Sequence, residues 1–230
     1  MEKSQNSING QMSENFITAV FLTLSGGFQD AYTYCLRGEV FANGQTGNIV
    51  LMSSYLFKGD WLSALRYFIP ICAFAVGIFL AETVRRRFKY LETLHWRQII
   101  LIAEILLLFT VGFMPVSVNN LANAVVSLVC AMQVQTFRKV DGRAYASTMC
   151  IGNLRSGVDA LCAYLHTKER ASLDSALEYF FVIFLFAVGA GLGSVFTGAL
   201  GQYAIIISCA LLMISFCIMF INGRDEKGKR

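Results

Sequence analysis

Charge is the first thing this chain lacks. No Asp, Glu, Lys or Arg occurs from Tyr179 to Gly223, and none from Ile105 to Phe137. Charged residues make up 15% of the chain and hydrophobic ones 56%, where soluble domains carry about 25% and about 45–50%. A solvent-facing helix does not stay apolar all round over such lengths, and about 20 apolar residues suffice for a membrane span. A soluble globular fold is therefore excluded. Proline is scarce, with two residues in 230. None of the seven cysteines forms a C-x-x-C pair, and the only histidines, His95 and His166, sit in polar connections. That excludes a zinc or iron–sulfur ligand cluster; no metal and no cofactor is expected, and the cysteines read as small apolar side chains in helices. Enzyme motifs are missing too: there is no G-x-S-x-G, no H-E-x-x-H and no P-loop, so the chain is not expected to be an enzyme. The net charge of +4 comes without a basic stripe interleaved with aromatics, which argues against nucleic acid as a partner.

What is present is a series of apolar runs separated by short polar breaks. Six spans are expected: about Glu14 to Cys35, Trp61 to Val84 with Pro70 as a kink, Arg97 to Met114, Leu121 to Phe137, Leu177 to Phe196 and Gln202 to Ile221. The first fifteen residues are polar, carry both signs of charge and lead into no small-residue cleavage site, so Phe16 onward reads as a retained first span. The chain then divides into a polar N-terminal tail (1–13), a first membrane repeat (14–114), a second membrane repeat (115–221) and a basic tail (222–230). Lys and Arg stay on the cytoplasmic side. With the Arg85–Arg97 loop placed inside, every Lys and Arg except Arg37, Lys58 and Arg66 falls inside. Both termini are then cytoplasmic, in a multi-pass protein of the cell membrane whose first partner is the lipid bilayer.

Two stretches break this pattern. Gly38 to Phe57 starts rich in Gly, Asn and Gln and turns apolar at Thr46-Gly47-Asn48. Ala144 to Leu165 repeats the theme at Ile151-Gly152-Asn153. The second cannot easily span, because Arg155 and Asp159 lie near its centre and a charge at mid-membrane costs about 3 kcal/mol. Non-helical backbone at membrane depth is tolerated only inside protein or against a watery cavity. Both stretches are therefore expected to be re-entrant loops with half-helices, the first dipping from outside and the second from inside.

The halves also match in sequence. Phe74-Ala75-Val76-Gly77 recurs as Phe186-Ala187-Val188-Gly189, and Tyr67-Phe68 as Tyr179-Phe180. Gly77 and Ala81 correspond to Gly189 and Gly193, a small-xxx-small pair that lets helices approach closely. At the spacing of the two Gly-Asn pairs, Asp30 meets Gln135. Three crossings per half invert the second half relative to the first. The expected fold is an all-α integral membrane protein with six transmembrane helices, built as two inverted three-helix repeats, each carrying a re-entrant half-helix.

A half-helix that starts inside the membrane points unpaired N–H groups, with partial positive charge, into the protein. Thr46 or Asn48 can cap the first, and Asn153 with the backbone of Gly152 the second. Such a start suits an anion or a polar carbonyl, and Arg155 adds positive charge. The candidate substrate-binding residues are thus Asn43, Thr46, Gly47, Asn48, Gly152, Asn153 and Arg155. Asp30 and Gln135 are candidates for gating or coupling. Structural readings compete with these: Gly-Asn serves only the tight turn of re-entry; Asp30 pairs with Arg155 or Arg37; Glu82 and Glu104 reach the Arg85–Arg87 cluster at the interface; Gln133 and Gln135 bond only between helices.

With these residues in view, the chain resembles the YoaK-type family of uncharacterised bacterial membrane proteins. The resemblance lies in Gly26-Gly27-x-x-Asp30-Ala31-Tyr32, in Val40-Phe41-x-Asn43-x-x-Thr46-Gly47-Asn48 and in Gly152-Asn153-Leu154-Arg155. It implies a bacterial inner membrane and about six spans, and brings no established activity. The functional expectation drawn from the residues is a small-solute transporter or channel, suited to anions, with a midplane site at the two Gly-Asn half-helix starts. The rival is a non-transporting membrane scaffold or a protein that binds a partner or lipid. A homo-oligomer is compatible with either.

Overall fold

The computed structural model describes residues 16–89, 95–140, 143–144, 147–148 and 150–227. The polar tail 1–13 and the end of the basic tail, 228–230, lie outside the described residues. Eight α-helices run through the rest: α1 (Phe16–Leu36), α2 (Gln45–Phe57), α3 (Trp61–Phe88), α4 (Trp96–Gly112), α5 (Asn119–Thr136), α6 (Cys150–Thr167), α7 (Arg170–Leu200) and α8 (Ile205–Lys227). Two two-residue strands, β1 (Lys139–Val140) and β2 (Arg143–Ala144), form a short antiparallel ladder before α6. The fold is otherwise helical. Among the described residues, three stretches are long and apolar enough to cross a membrane: Trp61–Phe88, Val116–Thr136 and Arg170–Met219. The last holds both α7 and α8, with the break at Gly201.

Helix ends follow local chemistry. The Asp60 side chain accepts from the Ser63 N–H and caps α3; the Ser63 hydroxyl first, and then that N–H, hold its carboxyl below the usual range. His95 Nδ1 accepts from the Arg97 N–H while Gln98 Oε1 accepts from the His95 N–H, a reciprocal cap on α4. The helices α3 and α7 are longer than the apolar runs that announced them. Arg85, Arg86 and Arg87 remain helical at the end of α3, since long basic side chains reach water from an apolar stem. Helix α3 continues through Pro70.

Helix α1 packs along α7, and α3 along α5. Helix α2 lies on α3 and α6 lies on α7; α8 touches α1, and α4 touches both α5 and α8. The main apolar core draws Leu22 and Phe28 from α1, Leu101 and Leu108 from α4, Val126 and Val129 from α5, and Ile205 and Leu212 from α8. The short helices stay outside this core. Helix α2 buries only Asn48, and α6 only Asn153 and Gly157. Around the α2–α3 turn Phe57, Trp61 and Leu62 are 92%, 68% and 80% exposed.

Candidate functional site

The site begins at a sharp reversal after α1. Gly38 and Glu39 both take positive φ, 89° and 59°, a region costly for a residue with a side chain. They turn the chain back along α1. The returning segment from Val40 to Gly44 is non-helical and largely buried. Its backbone needs partners, and polar side chains supply them. Asn48 donates from Nδ2 to the Phe41 carbonyl at 2.7 Å and accepts from the Phe41 N–H at 3.3 Å. Gln45 Nε2 donates to the Ala42 carbonyl at 2.7 Å. Asp30 Oδ1 accepts from the Asn43 N–H at 2.9 Å.

These bonds revise the expected helix start. Helix α2 begins at Gln45 with Gly44 as its N-cap, and no side chain caps it. Asn48 is occupied in tying down the preceding loop. Thr46 is exposed and Gly47 half-buried. The Gln45 N–H donates to Asn43 O, and the Gly47 N–H to Gly44 O. Most of the open N–H groups that would draw an anion are thus closed within the loop.

The meeting point of the two special stretches lies upstream of their Gly-Asn pairs. Asn43 Nδ2 donates to the Gly26 carbonyl at 3.2 Å. From the other half, Thr148 presses on the same residue. A Cβ on Gly26 would stand 2.5 Å from Thr148 Cγ2, so only glycine admits this contact. Gln133 donates from Nε2 to the Leu22 carbonyl at 3.0 Å and to Ser147 Oγ at 2.9 Å. Leu22, Gly26 and Asp30 follow one another on a single face of α1, a turn apart. The loops before α2 and α6 therefore converge on one turn of α1.

Beside this junction runs a satisfied polar chain. Ser25 Oγ and Ser208 Oγ lie 2.6 Å apart. Gln29 donates to both at 2.9 Å, and its Oε1 accepts from Cys130 Sγ at 2.9 Å. The Asn43 amide also faces Cys130. All of these groups except Asp30 are buried. None of Ser25, Gln29, Ser208, Ser147 and Thr148 was singled out from sequence. The usable signal was Ser25-Gly26 with Gln29 one turn on, and Thr148 standing as far before Asn153 as Asn43 stands before Asn48.

Several expected residues lie elsewhere. Gly152 is exposed, with open space where a Cβ would be. The Arg155 side chain is 85% exposed and lies 3.9 Å from Asp159. Asn153 is buried and engaged with a neighbour. Gln135 donates to Glu82 Oε2 at 3.0 Å on α3, away from Asp30. Asp30 pairs with neither arginine proposed for it. Glu82 does bind Arg85 and Arg86, at 2.8 and 3.0 Å. Glu104 does not reach that cluster: it is fully buried, and both carboxyl oxygens lack a hydrogen-bond partner.

Arg37, counted from sequence among the few cations on the outer side of the membrane, is fully buried. Its Nη atoms donate to the carbonyls of Val111, Met114 and Pro115 and to Asn119 Oδ1, and Nε and Nη2 reach the Tyr32 hydroxyl. Carbonyls at the end of α4 carry partial negative charge and take the place of a carboxylate.

Searches of curated proteins and of solved structures each return no match. A family model does match, over residues 18–218, and it includes the YoaK-type proteins that the motifs resemble. The chain thus belongs to the family described as "Protein of unknown function (DUF1275)".

Proposed function

We propose that this protein is a six-span carrier or channel of the bacterial cytoplasmic membrane, with both termini inside, that passes a small solute at the junction on Gly26. Two related halves are the frame of this reading. Exchange α1 with α5, α2 with α6, α3 with α7 and α4 with α8: the packing of α1 on α7 becomes that of α5 on α3, and α2 on α3 becomes α6 on α7. Close contacts follow the same exchange. Gly77 lies against the Leu128 carbonyl of α5, and Gly189 against the Leu24 carbonyl of α1. Ala81 clusters with Met132, and Gly193 lies on Phe28. This register matches Gln29 with Gln133, one residue out of step with the pairing of Asp30 and Gln135. The Gly-Asn spacing matches Asn43 with Thr148. Three crossings and one short helix per half make the second half inverted, the plan of many secondary transporters.

The observation that carries the functional reading is the convergence of the Asn43 loop and the Ser147–Thr148 loop on one turn of α1, with polar atoms left over. A membrane protein spends polar groups at depth where water or solute passes. Flux into liposomes holding the purified chain tests it, with a broad panel of labelled small solutes. At least one solute is expected to enter, and Asn43→Leu with Thr148→Val to abolish that entry. A panel that shows no protein-dependent entry removes the transport reading.

The bonds of Asn48 favour the rival scaffold reading for the Gly-Asn pair itself, since they hold the loop and leave nothing over for a ligand. Cys150, half-buried beside the second pair, separates the two readings. Labelling by a charged thiol reagent from either side of a vesicle is expected if a watery route reaches the junction, and none if the site is a dry scaffold.

A further inference from the structure

We propose that the solute taken at the Gly26 junction is a monovalent cation, either a bare alkali ion or a small protonated amine. This deepens the transport reading and rests on it. Buried polar atoms in proteins are nearly always paired. Asn43 Oδ1, Gln133 Oε1 and Thr148 Oγ1 are buried without a partner, on residues only 6%, 0% and 5% exposed. Unpartnered buried atoms occur elsewhere, as on Thr18, Ser127 and Thr197. Here three belong to residues that share one turn of α1, brought there from both halves.

The identity of the free atoms is fixed by their neighbours. A carbonyl only accepts, so the atom of Asn43 on Gly26 O must be its NH2 group. The same holds for Gln133 on Leu22 O. The bare atoms are then oxygens, acceptors without a hydrogen of their own, and the Thr148 hydroxyl can join them. Asp30 adds a carboxyl, held by the Asn43 N–H, and no cation pairs with it among the described residues. Arg37 is committed to carbonyls, and Arg155 points outward beside Asp159. Among the described residues, an anion would meet two amide oxygens and a carboxyl there, with the Thr148 hydroxyl as the one unpartnered donor. A divalent ion asks for several carboxylates, and among the described residues no three His, Cys, Asp or Glu side chains gather to hold a metal. Amide and hydroxyl oxygens beside one carboxyl suit a single positive charge with hydrogen-bond donors or a small hard radius.

The experiment measures thermal unfolding of the full chain in nanodiscs at fixed ionic strength, against choline chloride as reference. Sodium, potassium, ammonium and methylammonium chlorides form the arms, the first two for an alkali ion and the last two for an amine. A saturable rise in midpoint with one arm is expected. Thr148→Val, which removes a hydroxyl with no partner in the protein, should leave the ion-free midpoint unchanged or higher and weaken that ion by about tenfold. Asp30→Asn should weaken it as well. No arm exceeding choline overturns the proposal, as does an affinity untouched by both variants. Flux on the same preparation keeps the two claims apart. Ion binding without flux of any solute retains the site and removes transport. Flux of a neutral solute blocked by Thr148→Val, without ion dependence, retains transport and removes the cation.

Discussion

At the scale of single residues, the most informative side chain is Arg37. A buried cation without a carboxylate partner is costly unless every donor is used, and here carbonyls, one amide and the Tyr32 hydroxyl use them. Tyr32 passes the connection on, donating to the Gln202 carbonyl at 3.1 Å. Asn123 completes it by donating to the Arg37 carbonyl at 2.8 Å. One guanidinium thus ties the end of α1 to the turn between α4 and α5. Arg37→Leu leaves the carbonyls of Val111, Met114 and Pro115 bare, so a loss of roughly 3 kcal/mol or more is expected in denaturant unfolding. Arg37→Lys should recover little, since an ammonium lacks the fork that spans these acceptors. Sequence reasoning gave Arg37 a side of the membrane and no burial, because a charge count sees only side and sign. It cannot see a helix end supplying the opposite partial charge. Glu104 was misplaced for a related reason: its neighbours along α4 are apolar, but distance to the Arg85–Arg87 cluster is set by packing. Asn43, Asn48 and Asp30 were legible because polar residues in an apolar chain need a reason to be there. Which of them hold the loop and which are left over is a matter of bond geometry that spacing does not reveal.

At the scale of elements, helix existence followed from charge-free runs, and helix ends did not. Helices α3 and α7 run on into charged sequence, and the start of α2 was set by the loop's own hydrogen bonds instead of a capping side chain. That α7 approaches another helix closely was legible from Gly189 and Gly193; that the partner is α1 was not, because small residues announce closeness without naming the partner. Any side chain at Gly189 meets the Leu24 backbone, which cannot swing aside. Gly189→Leu is therefore expected to separate α7 from α1 and to lower the unfolding free energy by an amount on the order of 3 kcal/mol. Gly191→Leu, where open space surrounds the position, serves as its control. The α4 cap gives a pH dependence. Burial and then the nearby Arg97 hold the His95 imidazole below its ordinary value of 6.5. The unfolded chain therefore takes up the proton first as pH falls, and the cap's stabilisation, present above 6.5, is lost below it. Unfolding followed from pH 7 to 5 should show this decline, and His95→Asn, which keeps an acceptor at the cap, should reduce it.

At the scale of the whole molecule, a helical membrane-type chain was legible in its charge-free runs, and the repeated Phe-Ala-Val-Gly tetrad with the paired Gly-Asn motifs underlies the proposed two-halves plan. Under that plan, packing would pair Gln29 with Gln133, one residue from the Asp30–Gln135 match, because a helix face is read from packing and not from a lone motif match. Topology offers a direct measurement. On the proposed topology, a fluorescent-protein fusion at the C-terminus should fold and emit, and an alkaline phosphatase fusion there should be inactive. The reverse outcome would overturn that topology.

The exposed corner between α2 and α3 has a consequence for how deep the first loop sits. Helix α2 has 13 residues, about 20 Å of rise against a hydrocarbon slab of about 30 Å. Phe57, Trp61 and Leu62 flank the charged Lys58-Gly59-Asp60 turn as an amphipathic fringe anchors at a headgroup boundary. On the proposed topology, an untilted α2 starting from that boundary would end about two thirds of the way through the slab, with Asn43 inside it. Only two tryptophans exist in the chain, and Trp96 is 7% exposed. Indole emission quenched by brominated acyl chains thus reports chiefly on Trp61, and bromines set near the headgroups should quench it more than bromines set at the chain ends.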